Sequence, residues 1–179
     1  MKYKDYLSQA MLELSKFDDT IFVGQGIGYK IGGTFISQTL TQVPTNKTLE
    51  FVVDEKLQMQ FTLGLAIAGQ MPISIFVREN FLLLGLADLV NTLDKMKHIS
   101  EEEFCPKIII RVAAGPISPI FPGVQHALSK IECIQPLLEN TEFIDLKEKN
   151  KIVDEYLRCY TRKDGKISLL REMGHLYDS

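Results

Sequence analysis

The chain has 179 residues, 45% of them hydrophobic and 24% charged, with 20 basic against 23 acidic side chains and a formal net charge of -3. That length supports one domain, 1–179, with a substantial core, and the balanced charge with no basic stripe argues against nucleic acid as a partner. No apolar run reaches the roughly 18–20 residues of a membrane helix, and no secretory pattern opens the chain, so a cytoplasmic protein with no membrane partner is expected. Three cysteines, Cys105, Cys133 and Cys159, stand at irregular spacing without a CxxC pair and read as reduced thiols.

From Tyr3 to Phe17 the apolar positions Tyr6, Ala10, Leu12 and Leu14 suit a helix, and "DDT" hands over to the strand-like run "IFVG". A glycine-rich stretch, "GQGIGYKIGG", precedes a short helical segment near 34–41, a "VPTNK" loop and a second strand-like run, "TLEFVV". The segment "DEKLQMQFTLGLAIAG" starts as a helix would, with carboxylates where unpaired backbone donors and the positive end of the dipole favour them. "PISIFV" reads as a third strand. The segment 81–98 reads as one long helix whose Leu82, Leu86, Leu89, Val90, Leu93 and Met96 face the core, with Asp88, Asp94, Lys95 and Lys97 on its other sides. After the solvated acidic run Glu101 to Glu103 come "KIIIRVAAG", a proline-rich loop and a short helix near 123–130. The tail reads strand, helix, strand: "EFIDL", "KNKIVDEYLRCY", "ISLLRE". Six apolar runs separated by helices imply a three-layer α/β/α fold around a mainly parallel six-stranded sheet.

The glycine stretch follows a strand but lacks the G-x-G-x-x-G register, because Gly24, Gly26 and Gly28 alternate and Gly32 and Gly33 come late. Neither a phosphate-binding P-loop, a nucleophile elbow nor an H-E-x-x-H helix occurs. Candidate chemistry therefore rests on loops at strand ends, where open α/β sheets form their ligand crevice. Asp54 and Glu55 follow the second run, and from position alone either reads as a helix-start residue. Glu55 has in addition an apolar wall at Val52 and Val53 and two further strand ends, Val77 and Gly115, able to converge on it. His126 lies in "PISPIFPGVQHALS" and reads either as a histidine near a helix start or as a ligand-facing group; His98 and His175 read as surface residues.

"DEKLQMQFTLGLAIAGQMPISIF", "NFLLLGLADLVNTLDKMKHIS", "KIIIRVAAG" and "GVQHALS", in that order, resemble the pyrimidine-binding domain of thiamine diphosphate enzymes. The likeness is to beta subunits of 2-oxo-acid dehydrogenases and, more distantly, to transketolases. It implies that Glu55 hydrogen-bonds the cofactor's pyrimidine nitrogen and favours the imino tautomer that deprotonates the thiazolium carbon. It further implies that Phe81 packs on the pyrimidine ring, that Val53 and Val77 line its pocket, and that His126 faces the substrate as a proton donor or charge stabiliser. Arg78 and Gln25 are candidate substrate contacts. Glu79 stands where some relatives carry an aromatic residue, and Gln25 and Gly26 replace the acidic residues usual in the first glycine loop.

The resemblance implies a further C-terminal domain after the point where this chain stops. It also implies a diphosphate and Mg2+ site built around a GDG motif, to which only "KDGK" at 163–166 comes near. The expectation is a hetero-oligomer, a heterotetramer, in which a separate subunit holds the diphosphate and Mg2+ and a small keto substrate is cleaved next to its carbonyl. Two alternatives accompany it: a non-catalytic regulatory or interaction subunit of the same fold, and the pyrimidine subunit of a split 2-oxo-acid decarboxylase.

Overall fold

The computed structural model describes residues 1–29, 34–115, 121–127 and 131–179. Six parallel strands, β1 (Thr20–Gly24), β2 (Thr48–Glu50), β3 (Met71–Phe76), β4 (Ile109–Ala114), β5 (Thr141–Leu146) and β6 (Ile167–Met173), form one sheet. Their order is β2-β1-β3-β4-β6-β5. All six apolar runs are strands, and the helical segments between them make every neighbouring pair parallel, because a parallel return needs a crossover. Helices α1 (Tyr3–Ser15) and α6 (Ile152–Thr161) cover one face; α2 (Glu55–Ile67) and the segment 79–99 cover the other. No helix among the described residues is long and apolar enough to cross a membrane.

The buried stripe of α1 is Tyr3, Leu7, Ala10, Met11 and Leu14, so the helix is rotated relative to the expected set, leaving Leu12 and Tyr6 at the margin. Together with Ile152, Tyr156 and Cys159 of α6 these side chains pack on Ile73, Ile75, Ile109 and Leu170. On the opposite face Met59, Leu63 and Ala66 of α2 meet Phe76, Ile110, Val112 and Leu169, the alternate residues of the same strands. None of the three cysteines is disulfide-linked.

The segment expected as one helix over 81–98 is broken into pieces. It comprises α3 (Glu79–Leu82), a 3-10 turn Leu83–Gly85, one α turn (α4, Leu86–Asp88), a π turn Leu89–Leu93 and α5 (Met96–Ile99). Gly85 marks the reason: a Cβ there would stand 3.0 Å from the backbone oxygen of Glu55 and 3.4 Å from the Met59 side chain. The backbone tightens to lie against α2 and then widens, yet Leu82, Leu89 and Leu93 still point inward. Asp94, expected on the polar side, is fully buried and accepts from the backbone N–H of Glu139 (2.9 Å) and Asn140 (2.9 Å) and from the Thr141 hydroxyl (2.8 Å). It therefore fastens the end of this segment to the start of β5. Downstream of His126, residues 128–130 of the expected short helix lie outside the described residues, and 124–127 form turns.

Between the sheet and the α1/α6 layer lies a fully buried ion pair, Arg111 of β4 with Glu172 of β6. Arg111 Nη2 also donates to Thr39 Oγ1 (2.7 Å) and to Glu172 Oε2 (3.1 Å). The Glu172 carboxylate accepts from Tyr156 Oη (2.8 Å) and from Tyr177 Oη. Burial opposes the charge on Arg111, but adjacent Glu172 outweighs it and holds the guanidinium protonated.

Removing one partner leaves an uncompensated buried charge, so Arg111→Met should cost about 3–5 kcal/mol in urea unfolding, and adding Glu172→Leu should recover part of that loss. The Asp94 tether is pH-dependent. Burial favours its neutral form, but the Glu139, Thr141, Lys95 and Asn140 donors together pull its carboxyl below the ordinary 3.8. Because the folded value is depressed, the stabilisation is present at neutral pH and lost as pH falls below that ordinary value. The stability gap between wild type and Asp94→Asn should accordingly narrow as denaturation is measured from pH 6 down to about 3.

Candidate functional site

At the start of α2 the two adjacent carboxylates separate in role. Asp54 is the N-cap, with extended backbone and a carboxylate accepting from Leu57 N–H at 2.9 Å, as a cap requires. Glu55 is the first helical residue, 8% exposed, and among the described residues its carboxylate has no hydrogen-bond or ion-pair partner. It lines a cleft of ≈ 30 Å³ together with Gln25, Gln58, Val77 and Phe81, closed below by Ile75 and Phe76. One wall is thus apolar and partly aromatic, the other carries a carboxylate and two amides. The volume admits little more than a water molecule, whose share of liquid is about 30 Å³, so the cleft is a wall to lie against and not an enclosed pocket.

Behind Glu55 runs a buried polar chain. Gln58 Nε2 donates to Ser74 Oγ (3.2 Å) and to the Ile75 carbonyl (3.1 Å), and Thr62 Oγ1 lies 2.9 Å from Ser74 Oγ. The Gln58 Oε1 so oriented accepts from Gln25 Nε2 at 3.4 Å. In the sequence Gln58 is marked only by its position three residues after Glu55 on the same helix face.

The glycine loop after β1 is gripped by Glu50, the last residue of β2. Its two oxygens accept from Gly26 N–H and Gly28 N–H, both at 2.6 Å. Gly26 has φ +68°, which an L side chain resists, and a Cβ on Gly24 would approach the Ile75 carbonyl to 2.6 Å. Gly32 and Gly33 lie outside the described residues.

The ends of β3 and β4 bring in the remaining candidates. Phe81 reaches the cleft from α3, and its ring stands 5.4 Å from that of His126 in an edge-on arrangement. Asn80 Nδ2 lies 3.3 Å from His126 Nδ1. Arg78 sits at the N-cap of α3 with its guanidinium 5.5 Å from the Phe35 ring and Nη1 3.4 Å from the His126 carbonyl; burial lowers its pKa. Gly115, just beyond β4, admits that guanidinium, since a Cβ there would fall 2.0 Å from Arg78 Nη1. Glu55, Gln25, Val77, Phe81 and His126 are therefore neighbours, whereas Arg78 faces Phe35 and the His126 backbone and is not part of the cleft wall. Val53 is 86% exposed and outside the cleft lining. Glu79 is buried and turned toward Arg171, whose Nη1 is 3.4 Å away, so it too stands apart from the cleft.

The "KDGK" turn directly precedes β6, whereas Glu55 follows β2, so the two occupy opposite ends of the parallel sheet, roughly 20 Å apart along a seven-residue strand. Among the described residues no three His, Cys, Asp or Glu side chains converge as a metal site.

No family model and no curated protein matches this sequence. Two solved structures share the fold. One is described as a split-gene transketolase, inactive beta4 tetramer, at TM-score 0.63 and 9% identity, the match covering 97% of this chain and 51% of that one. The other is a transketolase from Campylobacter jejuni, at TM-score 0.71 and 13% identity, covering 96% of this chain and 25% of that one. The chain thus has a transketolase-type fold and spans about half the length of one neighbour and a quarter of the other.

The 3.3 Å approach of Asn80 Nδ2 to His126 Nδ1 predicts that the neutral ring carries its proton on Nε2. Long-range nitrogen–proton NMR correlations should show that tautomer, and Asn80→Ala should raise the Nδ1–H population.

Proposed function

We propose that this chain is the pyrimidine-binding part of a thiamine diphosphate-dependent enzyme of transketolase type, completed by a partner polypeptide that holds the diphosphate and Mg2+. The observation that carries the reading is Glu55: a carboxylate 8% exposed, without a donor among the described residues, beside a flat wall that includes Phe81 and Val77. A carboxylate so placed at the mouth of an apolar wall is positioned to accept from a protonated ring nitrogen of a planar heterocycle lying on that wall. The transketolase-type fold supports the same reading. Thiamine diphosphate, when bound, supplies the carbon nucleophile that cleaves a carbon–carbon bond next to a carbonyl.

The residues of this chain perform the rest. Glu55 Oε accepts the ring N–H hydrogen bond and so favours the tautomer with a basic exocyclic nitrogen, and its place in the first turn of α2 stabilises the negative charge. Phe81 and Val77 keep water from one face of the ring. Gln58, fixed by Ser74 and Ile75, holds the Gln25 amide at the edge of the cleft. His126 Nε2–H is the proton donor toward a substrate oxygen, its ring set by Asn80.

A cleft of only ≈ 30 Å³ is half a site, which favours a second wall from another chain. Val52, Leu57, Phe61 and Leu84 leave apolar surface exposed around the same helix, in keeping with that partner. The similar split-gene transketolase chain, described as an inactive tetramer, supports a division of labour between polypeptides. In this reading Mg2+ belongs to the partner, and the assembly is a heterotetramer.

The test is reconstitution: affinity capture of the partner, then turnover of the complex with thiamine diphosphate, Mg2+ and keto donors. Glu55→Gln should lower turnover by at least about 100-fold while leaving assembly intact. Asp54→Asn should leave turnover nearly unchanged, since Asn also caps helices. Equal losses in both variants would overturn the role given to Glu55. Release of free aldehyde in place of two-carbon transfer would move the reading to a decarboxylase.

A further inference from the structure

At the end of the sheet away from Glu55, the loop before β4 and the turn before β6 border an open pocket of ≈ 230 Å³. Lys97, Lys107, Lys163 and Lys166 line it, and none of these ammonium groups is ion-paired among the described residues. The fifth cation of the lining, Arg162, is already committed. Its Nε and Nη2 each lie 2.8 Å from an Asp164 oxygen, Nη1 donates to Ser168 Oγ at 2.6 Å, and Nη2 is 3.0 Å from Glu142. With Arg162 and Asp164 offsetting each other, Glu102 remains as the acid facing four lysines, in a chain whose overall charge is -3.

Gly165 lets the turn lie close against the loop before β4. It adopts φ +74°, and a Cβ there would lie 2.9 Å from Cys105 Sγ, so only glycine lets the turn close over the thiol while holding Lys163 and Lys166 on either side. Like charges gathered on a concave surface repel one another and draw an anion in, and lysine acts toward phosphate as a mobile point charge. A volume of ≈ 230 Å³ holds several waters, or a phosphate with a small substituent.

We propose that this cavity is a binding site for a small phosphorylated molecule, recognised through its phosphate by Lys97, Lys107, Lys163 and Lys166. The site is independent of the chemistry proposed at Glu55 and lies at the other end of the strands. A phosphate monoester or diphosphate fits better than a carboxylate, because its charge approaches that of the net excess around the cavity.

The probe is inorganic pyrophosphate, with inorganic phosphate beside it, titrated calorimetrically into the full chain at fixed ionic strength. Cys105 provides a local readout: ligand in the cavity should slow its alkylation, while exposed Cys133 serves as the internal control. Saturable binding, protection of Cys105 but not Cys133, and at least about tenfold weaker binding in Lys107→Ala/Lys166→Ala support the site. Both lysines are exposed, so the double variant should keep the wild-type unfolding midpoint. The control Lys147→Ala/Lys151→Ala, at lysines already paired with Asp145 and Glu148, should bind as wild type does. No saturable binding, or weakening by the control as large as by the cavity variant, overturns the proposal.

Discussion

The ion pair between Arg111 and Glu172 joins parts of the chain that share no local sequence relation. Arg111 comes from the middle of the sheet, Glu172 from the neighbouring strand, Thr39 from the 3-10 turn after the glycine loop, Tyr156 from α6 and Tyr177 from the C-terminal tail. Two buried charges are expensive to desolvate, and the arrangement offsets that cost through the direct pair and the Thr39, Tyr156 and Tyr177 hydroxyls, while Arg111 Nη1 has no partner among the described residues. Burial first, and Glu172 second, push the Tyr156 and Tyr177 hydroxyls well above their ordinary range, keeping both as neutral donors. Tyr3 adds a further tie from α1, donating to the Leu146 carbonyl (2.6 Å) and accepting from Met173 N–H (3.0 Å).

That network occupies one face of the sheet and the cleft lies on the other, so the strand ends serve both. β3 contributes Ile73 and Ile75 to the layer containing the ion pair, and through Phe76 and Val77 it forms the floor and rim of the cleft. The positions of Glu55, Phe81 and His126 are inherited from strands whose relative placement is fixed underneath. The side chains themselves stand on helix starts and a loop, where exposure to a ligand is possible.

The strands were legible because each is a short apolar run bounded by turn residues, and their parallel pairing followed from the helical segments between them. Arg111 was not: within "KIIIRVAAG" nothing local says whether a charge points out to water or in toward an acid 61 residues later. Asp94 was hidden for the same reason, since the donors that hold it, Glu139, Asn140 and Thr141, lie at the start of β5 more than 40 residues away. Over 79–99 the leucine spacing placed Leu82, Leu89 and Leu93 inward with Leu86 and Met96 at the margin, but Val90 is outside the core, and the spacing said nothing of the 3-10 and π turns that break the helix while keeping those leucines inward. Glu55 and His126 drew their candidate roles from family likeness. Asn80 and Gln58, which orient their neighbours, carry no motif and emerged only from contacts.

Glu50 gives the glycine loop an unusual independence. The Gly26 and Gly28 backbone donors converge on one carboxylate, an arrangement related to the backbone nests that elsewhere receive a phosphate, and here the carboxylate anchored at the end of β2 already fills it. A tethered anion competes at an effective concentration on the order of millimolar or above, so a free nucleotide phosphate must displace it before making any contact of its own. The loop is thus self-liganded: it retains the shape of an anion receptor while being closed to anions from solution.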